Sequence, residues 1–211
     1  LNRTIGLALE PRKSPVQARS AASVQAILEA TIQVLLSGGK EHLTTTRVAA
    51  RAGVSVGTLY QYFPNKSALL QAVLRRHLEE VTEAVERACR EQRGSTLREM
   101  GAALVEAFLQ AKMRDTKTSV ALYSVSSDVD GAKILRQNGA RTHAAIVEML
   151  RSSCQPLERD AASVALMLQG AMAGIGRRLV ESGTPERHLA ALRQELIFMV
   201  CSYLDASGKR S

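Results

Sequence analysis

Apolar side chains recur every three or four residues along most of this chain, the period of amphipathic helices. Val24, Ile27, Leu28, Thr31 and Leu35 share one face and predict a first helix over 23–37, capped by Ser23 and ended by Gly38-Gly39. A short second helix is predicted over 46–52. Thr44, Thr45 and Thr46 supply hydroxyls for its start, and Gly53 supplies the left-handed residue that stops it. Ser55 caps a third helix over 56–62, Pro64-Asn65 breaks the chain, and Asn65 caps a long fourth helix over 66–92. After Gly94-Ser95 the pattern predicts further helices at 96–113, 117–127, 130–153, 157–182 and 185–205. Breaks fall at Ser126-Ser127-Asp128, Gln155-Pro156 and 182–185, where Pro185 suits a first helical position. The expected fold class is all-α.

Composition supports this and orders the chain into parts. Aromatic residues are 3% of the 211 and tryptophan is absent, so the core is aliphatic, and runs suited to strands are scarce. The expected parts are a flexible basic arm at 1–22, marked by Pro11 and Pro15, a three-helix unit at 23–66, a larger helical domain at 67–206 and a tail at 207–211. The formal net charge is +8, and residues 1–66 hold eight basic against three acidic side chains, an excess of five. Most of the surplus therefore sits in the first third, which fits a polyanionic partner. The arm reads either as a disordered tail or as a strand of charge that touches phosphates or a minor groove.

Several classes of function are excluded by what is missing. Cys89, Cys154 and Cys201 are far apart and show no metal-ligand spacing with the four histidines, so reduced thiols are expected, with no metal and no cofactor. No signal segment and no run near the ~18 apolar residues of a membrane helix is evident, so a cytoplasmic protein without a membrane partner is expected. No Gly-rich phosphate loop, nucleophile elbow or paired carboxylates suggest catalysis, and no catalytic residue is assigned.

The 23–66 unit meets the needs of a helix-turn-helix, two short helices crossing steeply through a three- or four-residue turn. Gly53-Val54-Ser55 forms the turn, with Val54 as a plug between the helices and Ala49 and Ala50 small enough for close packing. Val48 and Leu59 complete a core against Ile27 and Leu28. With Leu59 and Phe63 assigned inward, the second helix exposes Val56, Gly57, Thr58, Tyr60 and Tyr62. Such a helix fits the major groove of double-stranded DNA. Gly57 lets backbone approach closely, and the hydroxyls of Tyr60 and Tyr62 and the ammonium of Lys66 suit phosphate oxygens.

The run from Thr45 to Lys66, TTRVAARAGVSVGTLYQYFPNK, with Ala68-Leu69-Leu70 and Val73 after it, resembles the DNA-binding signature of the TetR/AcrR family. The resemblance covers about residues 23–75. It implies an all-helical homodimer that binds a palindromic operator, usually as a repressor, with a small-molecule effector in the C-terminal domain. It also implies phosphate contacts at Thr45, Thr46, Tyr60, Tyr62 and Lys66, with Arg47, Ser55, Val56, Gly57 and Thr58 facing the groove. Thr46 also reads as a helix cap, and Tyr60 as partly packed on the first helix. Val56 departs from members with a polar base-reading residue there, which shifts readout toward Arg47 or DNA shape.

The C-terminal pattern suggests a seam for a second copy. Leu189, Leu192, Leu196, Met199 and Tyr203 recur at three-four spacing in the last helix, and Val164, Leu168, Ala171 and Ile175 in the one before. Gly170, Gly174 and Gly176 allow close approach there. The expected result is a four-helix dimer interface; an internal core is the other reading. Leu104, Phe108, Met113, Leu122, Tyr123, Met149 and Met167 are candidate lining for an effector pocket, and also serve as plain core. Sparse aromatics and acids point to an apolar or weakly polar effector. A ligand-free architectural DNA-binding protein, whose C-terminal domain only dimerises or binds a protein, is the alternative.

Overall fold

A computed structural model describes residues 15–126 and 131–208. Among these residues it is helical, with one isolated antiparallel bridge between Leu157 and Gly208. The chain forms two compact units, one ending at Lys66 and the other starting at Ser67.

The first unit holds α1 (Pro15–His42), α2 (Thr45–Ala52) and α3 (Val56–Tyr62). α1 starts well before the expected residue 23, so residues 15–22 belong to a helix and not to an arm. Pro15 takes the first helical position, where its missing N–H costs nothing, and the alanines at 18, 21 and 22 carry the best helix propensity. Residues 1–14 of the expected arm lie outside the described residues. Gly39 breaks the helical path with φ 69° and ψ −173°, leaving 40–42 as a separate turn.

Contrary to expectation, Ser20–His42 is long and apolar enough to cross a membrane by length and composition alone. Its apolar side is a core face. Ile27, Leu28, Ala30, Val34 and Leu35 are buried with Leu43, Val48, Ala49, Leu59 and Phe63. The buried Thr31 hydroxyl donates to the Ile27 carbonyl at 2.7 Å, so its burial leaves no orphan. Of the two alanines expected at the helix crossing, Ala49 is buried and Ala50 is exposed.

The second unit contains α4 (Lys66–Glu91) from its second residue on, α5 (Leu97–Met113), α6 (Thr116–Val125), α7 (Gly131–Arg151), α8 (Ala161–Glu181) and α9 (Pro185–Asp205). Caps fix the starts. Thr96 and Glu99 form a capping box on α5, and Asp115 and Asp160 accept the backbone N–H groups of Thr118 and Ser163. The Asp160 cap explains why α8 starts after the expected residue 157. α5 and α9 pack closely at Gly101, where a Cβ would lie 2.7 Å from Leu204 Cδ1. The expected tail is partly ordered. Ser207 is buried, its carbonyl accepts the Glu158 N–H at 2.9 Å, and residues 209–211 lie outside the described set. Cys89 and Cys201 are buried free thiols, with Cys89 pushed up to about 12 mainly by burial, and Cys154 is exposed.

His77 on α4 carries a pH-dependent share of stability. Burial first, then the charges of Lys112 and Arg114, lowers its pKa to about 4; Asp115 opposes this and Arg76 adds to it. Its Nε2 lies 3.3 Å from Ser119 Oγ, which donates to the Lys112 carbonyl. The unfolded chain binds this proton near pH 6.5 and the folded chain only near pH 4. Stability is therefore full above about 6.5 and is lost as pH falls toward 4, by roughly 2–3 kcal/mol. Urea denaturation at pH 7 and pH 4.5 should show this loss, and His77→Gln should flatten it.

Candidate functional site

α2 and α3 are joined by local chemistry. The Gly53 N–H donates to the Ala50 carbonyl and the Val54 N–H to the Ala49 carbonyl at 3.0 Å, while Gly53 sits at φ 67°. This paired closure satisfies the last carbonyls of α2 and turns the chain sharply. Ser55 then caps α3, accepting the Thr58 N–H at 3.0 Å, and its hydroxyl also meets Thr58 Oγ1 at 2.8 Å. Thr44 caps α2, accepting the Arg47 N–H at 3.2 Å. That role therefore belongs to Thr44, and the Thr46 hydroxyl is exposed.

Thr45 and Tyr60 are brought together, their hydroxyls 3.2 Å apart across the two helices. Each hydroxyl retains a lone pair and a rotatable O–H for a further hydrogen bond. The two cations converge on the residues that follow the Gly39 break. Arg47 Nη1 donates to the His42 carbonyl at 3.1 Å, and Lys66 Nζ donates to the Lys40 carbonyl at 2.6 Å. Tyr62 is half-buried, and so is Thr58. Val56, Gly57 and Tyr60 are exposed, with Leu59 fully buried beneath them. A Cβ on Gly57 would meet only Ser55 Oγ, at 3.7 Å, so nothing in the fold requires glycine there.

Sequence reasoning missed Gln61. It is exposed, makes no hydrogen bond among the described residues and lies one turn beyond Gly57 on the same face. Helical spacing from Gly57 was the signal. The exposed arc of α3 is thus Val56, Gly57, Tyr60 and Gln61.

The second unit holds a cavity of about 580 Å³. Its wall comes from α4 (Leu78, Val81, Thr82, Val85), α5 (Phe108, Lys112), α6 (Tyr123), α7 (Leu135, Asn138, Gly139, Thr142) and α8 (Gln169 to Val180). Phe108 and Tyr123 are the expected lining residues that reach it. Leu104, Met113, Leu122 and Met149 are instead buried core, and Met167 is 60% exposed. Long side chains on inner faces fill space, and the cavity opens beside Gly139 and Gly170, where a Cβ would meet nothing within 4 Å. The Tyr123 hydroxyl donates to Glu181 Oε1 at 2.5 Å, and Arg177 Nε donates to the same oxygen at 2.8 Å.

The expected seam on α8 and α9 is mostly an internal one. Val164, Leu168 and Leu196 are buried, and Ala171, Ile175, Leu189, Leu192 and Tyr203 pack partly buried against the same core. Met199 is exposed. The open apolar face lies beside that stripe and comprises Leu166, Met167, Phe198 and Met199, 47–71% exposed. Gly170 and Gly174 lie on it with no neighbour within 4 Å of a built Cβ, whereas Gly176 faces inward, where a Cβ would lie 3.0 Å from Phe108.

Comparison with known proteins decides the family. Residues 27–73 match the bacterial regulatory proteins of the tetR family, and residues 96–204 match the tetracyclin repressor-like C-terminal domain. The chain belongs to the TetR family. The transcriptional repressor KstR of Mycolicibacterium smegmatis is 45% identical over 62 residues, 29% of this chain and 30% of KstR. The nucleoid occlusion factor SlmA of Haemophilus ducreyi is 36% identical over 74 residues, 35% of this chain and 37% of SlmA. The chain thus aligns with about a third of these relatives' length. SmeT, the repressor of the Stenotrophomonas maltophilia multidrug efflux pump SmeDEF, shares the fold, with a TM-score of 0.64 and 19% identity over 90% or more of both chains (91% and 93%).

Proposed function

We propose that this TetR-family chain is one subunit of a cytoplasmic homodimeric repressor without a catalytic step. It binds a palindromic double-stranded operator and leaves it when a small molecule fills the cavity. The carrying observation is the exposed arc of α3, held by the Gly53 closure and the Ser55 cap and flanked by the Thr45–Tyr60 hydroxyl pair and the Lys66 ammonium. In a two-fold dimer, two such helices about 34–36 Å apart read successive major grooves.

The dimer face in this reading is the exposed apolar patch of α8 and α9, covered by the same patch of a second copy. The small surface at Gly170 and Gly174 lets the partner's helices approach closely. The cavity supports the effector step, because about 580 Å³ lies well above the ~300 Å³ lower bound for small-molecule sites. It also weighs against the architectural alternative. α4 begins at Lys66 and lines the cavity about three turns later, from Leu78 to Val85. A ligand that binds two α4 positions unequally shifts their populations, and with them the operator affinity.

The phosphate assignments are tested by fluorescence anisotropy on a duplex selected from a random library, across a salt series. Tyr60→Phe with Lys66→Ala should weaken binding about tenfold and lower the salt slope by about one per subunit. Binding as tight as wild type would remove these residues from the interface.

A further inference from the structure

The cavity's charges are one-sided. Among the described residues its charged lining residues are Lys112 and Arg177, and none of that lining is a carboxylate. Arg177 is already compensated by Glu181. Lys112 is not: its ammonium has no ion pair or hydrogen bond among the described residues, and burial lowers its pKa. Its stem runs beside Gly176, where a Cβ would lie 3.9 Å from Lys112 Cε. An unpaired ammonium held away from water is costly, and a ligand that brings one negative charge removes that cost.

The neutral polar groups point the same way. Asn138 Nδ2 is buried without a partner among the described residues. Gln169 by contrast is saturated, donating to the Gly139 carbonyl at 2.9 Å and Thr142 Oγ1 at 2.6 Å while its Oε1 lies 3.1 Å from His143 Nδ1. The Thr82 hydroxyl is spent on the Leu78 carbonyl at 2.9 Å. The Lys112 ammonium and Asn138 Nδ2 are thus open donors, which call for oxygen acceptors on the ligand. Around them the wall is apolar, through Val81, Val85, Phe108, Met172 and Val180.

We propose that the cavity takes an amphipathic monocarboxylate, its acid group on Lys112 and its apolar body along the α4, α5 and α8 wall. This deepens the effector reading and rests on it. It also amends the apolar or weakly polar effector expected from composition, because one uncompensated cation asks for one negative charge. A single charge also sets a carboxylate apart from a phosphate dianion.

Isothermal titration calorimetry on the full chain tests this with three probes that share a ten-carbon chain: decanoate, 1-decanol and decyltrimethylammonium, each below its micellar concentration. Decanoate should bind at least tenfold tighter than decanol, and the ammonium should not bind. Lys112→Met, which keeps length and removes charge, should erase that preference while retaining decanol. Equal binding of decanoate and decanol by the wild type overturns the proposal, and this comparison stands even if the variant does not fold. A preference that survives Lys112→Met in folded protein also overturns it. Decanoate that binds with this preference but leaves operator anisotropy unchanged supports the ligand class and overturns the release step.

Discussion

Phe198→Glu is expected to convert the proposed dimer to monomers and to weaken operator binding more than a hundredfold. Phe198 is 71% exposed on α9, beside Met199 and the Leu166–Met167 pair of α8. Burying such a side chain is worth about 1.5–3 kcal/mol, and a two-fold interface loses it twice. Each glutamate also brings a carboxylate into an apolar face, at a further cost of desolvation. The total of roughly 4 kcal/mol or more exceeds a hundredfold in the dimer constant. Because the side chain is already exposed in the subunit, the monomer should keep its helical circular dichroism. Sedimentation at micromolar concentration separates the outcomes. A variant that stays dimeric would show that the α8–α9 patch is not the interface.

The burial of the expected seam within the subunit has a physical cause. Both the buried stripe and the exposed patch of α8 have helical spacing, and the stripe from Val164 to Ile175 is the more apolar of the two. Within a subunit the most apolar stripe is spent on its own core. Gly174 costs helix stability and has no internal neighbour to justify it, which marks the exposed side of α8. The cavity was misjudged for a related reason. Leu104, Met149 and their like fill volume, so listing large apolar residues finds the core. A cavity is where side chains are small, and a lone cation such as Lys112 stands out only when its surroundings are known.

The DNA-binding unit was far more legible, because its geometry is set by neighbours in sequence. Gly53 and Ser55 fix the turn through bonds no longer than five residues in span, and the buried set Val48, Leu59 and Ile27 followed from spacing. The start of α1 is hard to place from sequence because Pro15 suits both an irregular chain and a first helical position, and here it takes the latter.

Gln61→Ala should remove most of the sequence preference while leaving non-specific binding intact. On the exposed arc of α3, Gly57 has no side chain, Val56 offers only methyl contact and the Tyr60 hydroxyl is shared with Thr45. Gln61 has an amide with both a donor and an acceptor, the pair that matches adenine N7 and N6 in the major groove. The empty position one turn earlier leaves room for that side chain to lie along the groove floor. Such a contact discriminates by about 1–3 kcal/mol, and a palindromic operator loses it in both half-sites. Anisotropy should therefore show a loss on the order of a hundredfold on the selected duplex. No change is expected on a scrambled one, and the salt slope should stay the same because no phosphate contact is removed. An equal loss on both duplexes would make Gln61 a backbone contact. No loss on either would move the readout to Arg47 or to DNA shape, the two sources left to a reading helix that begins with valine and glycine.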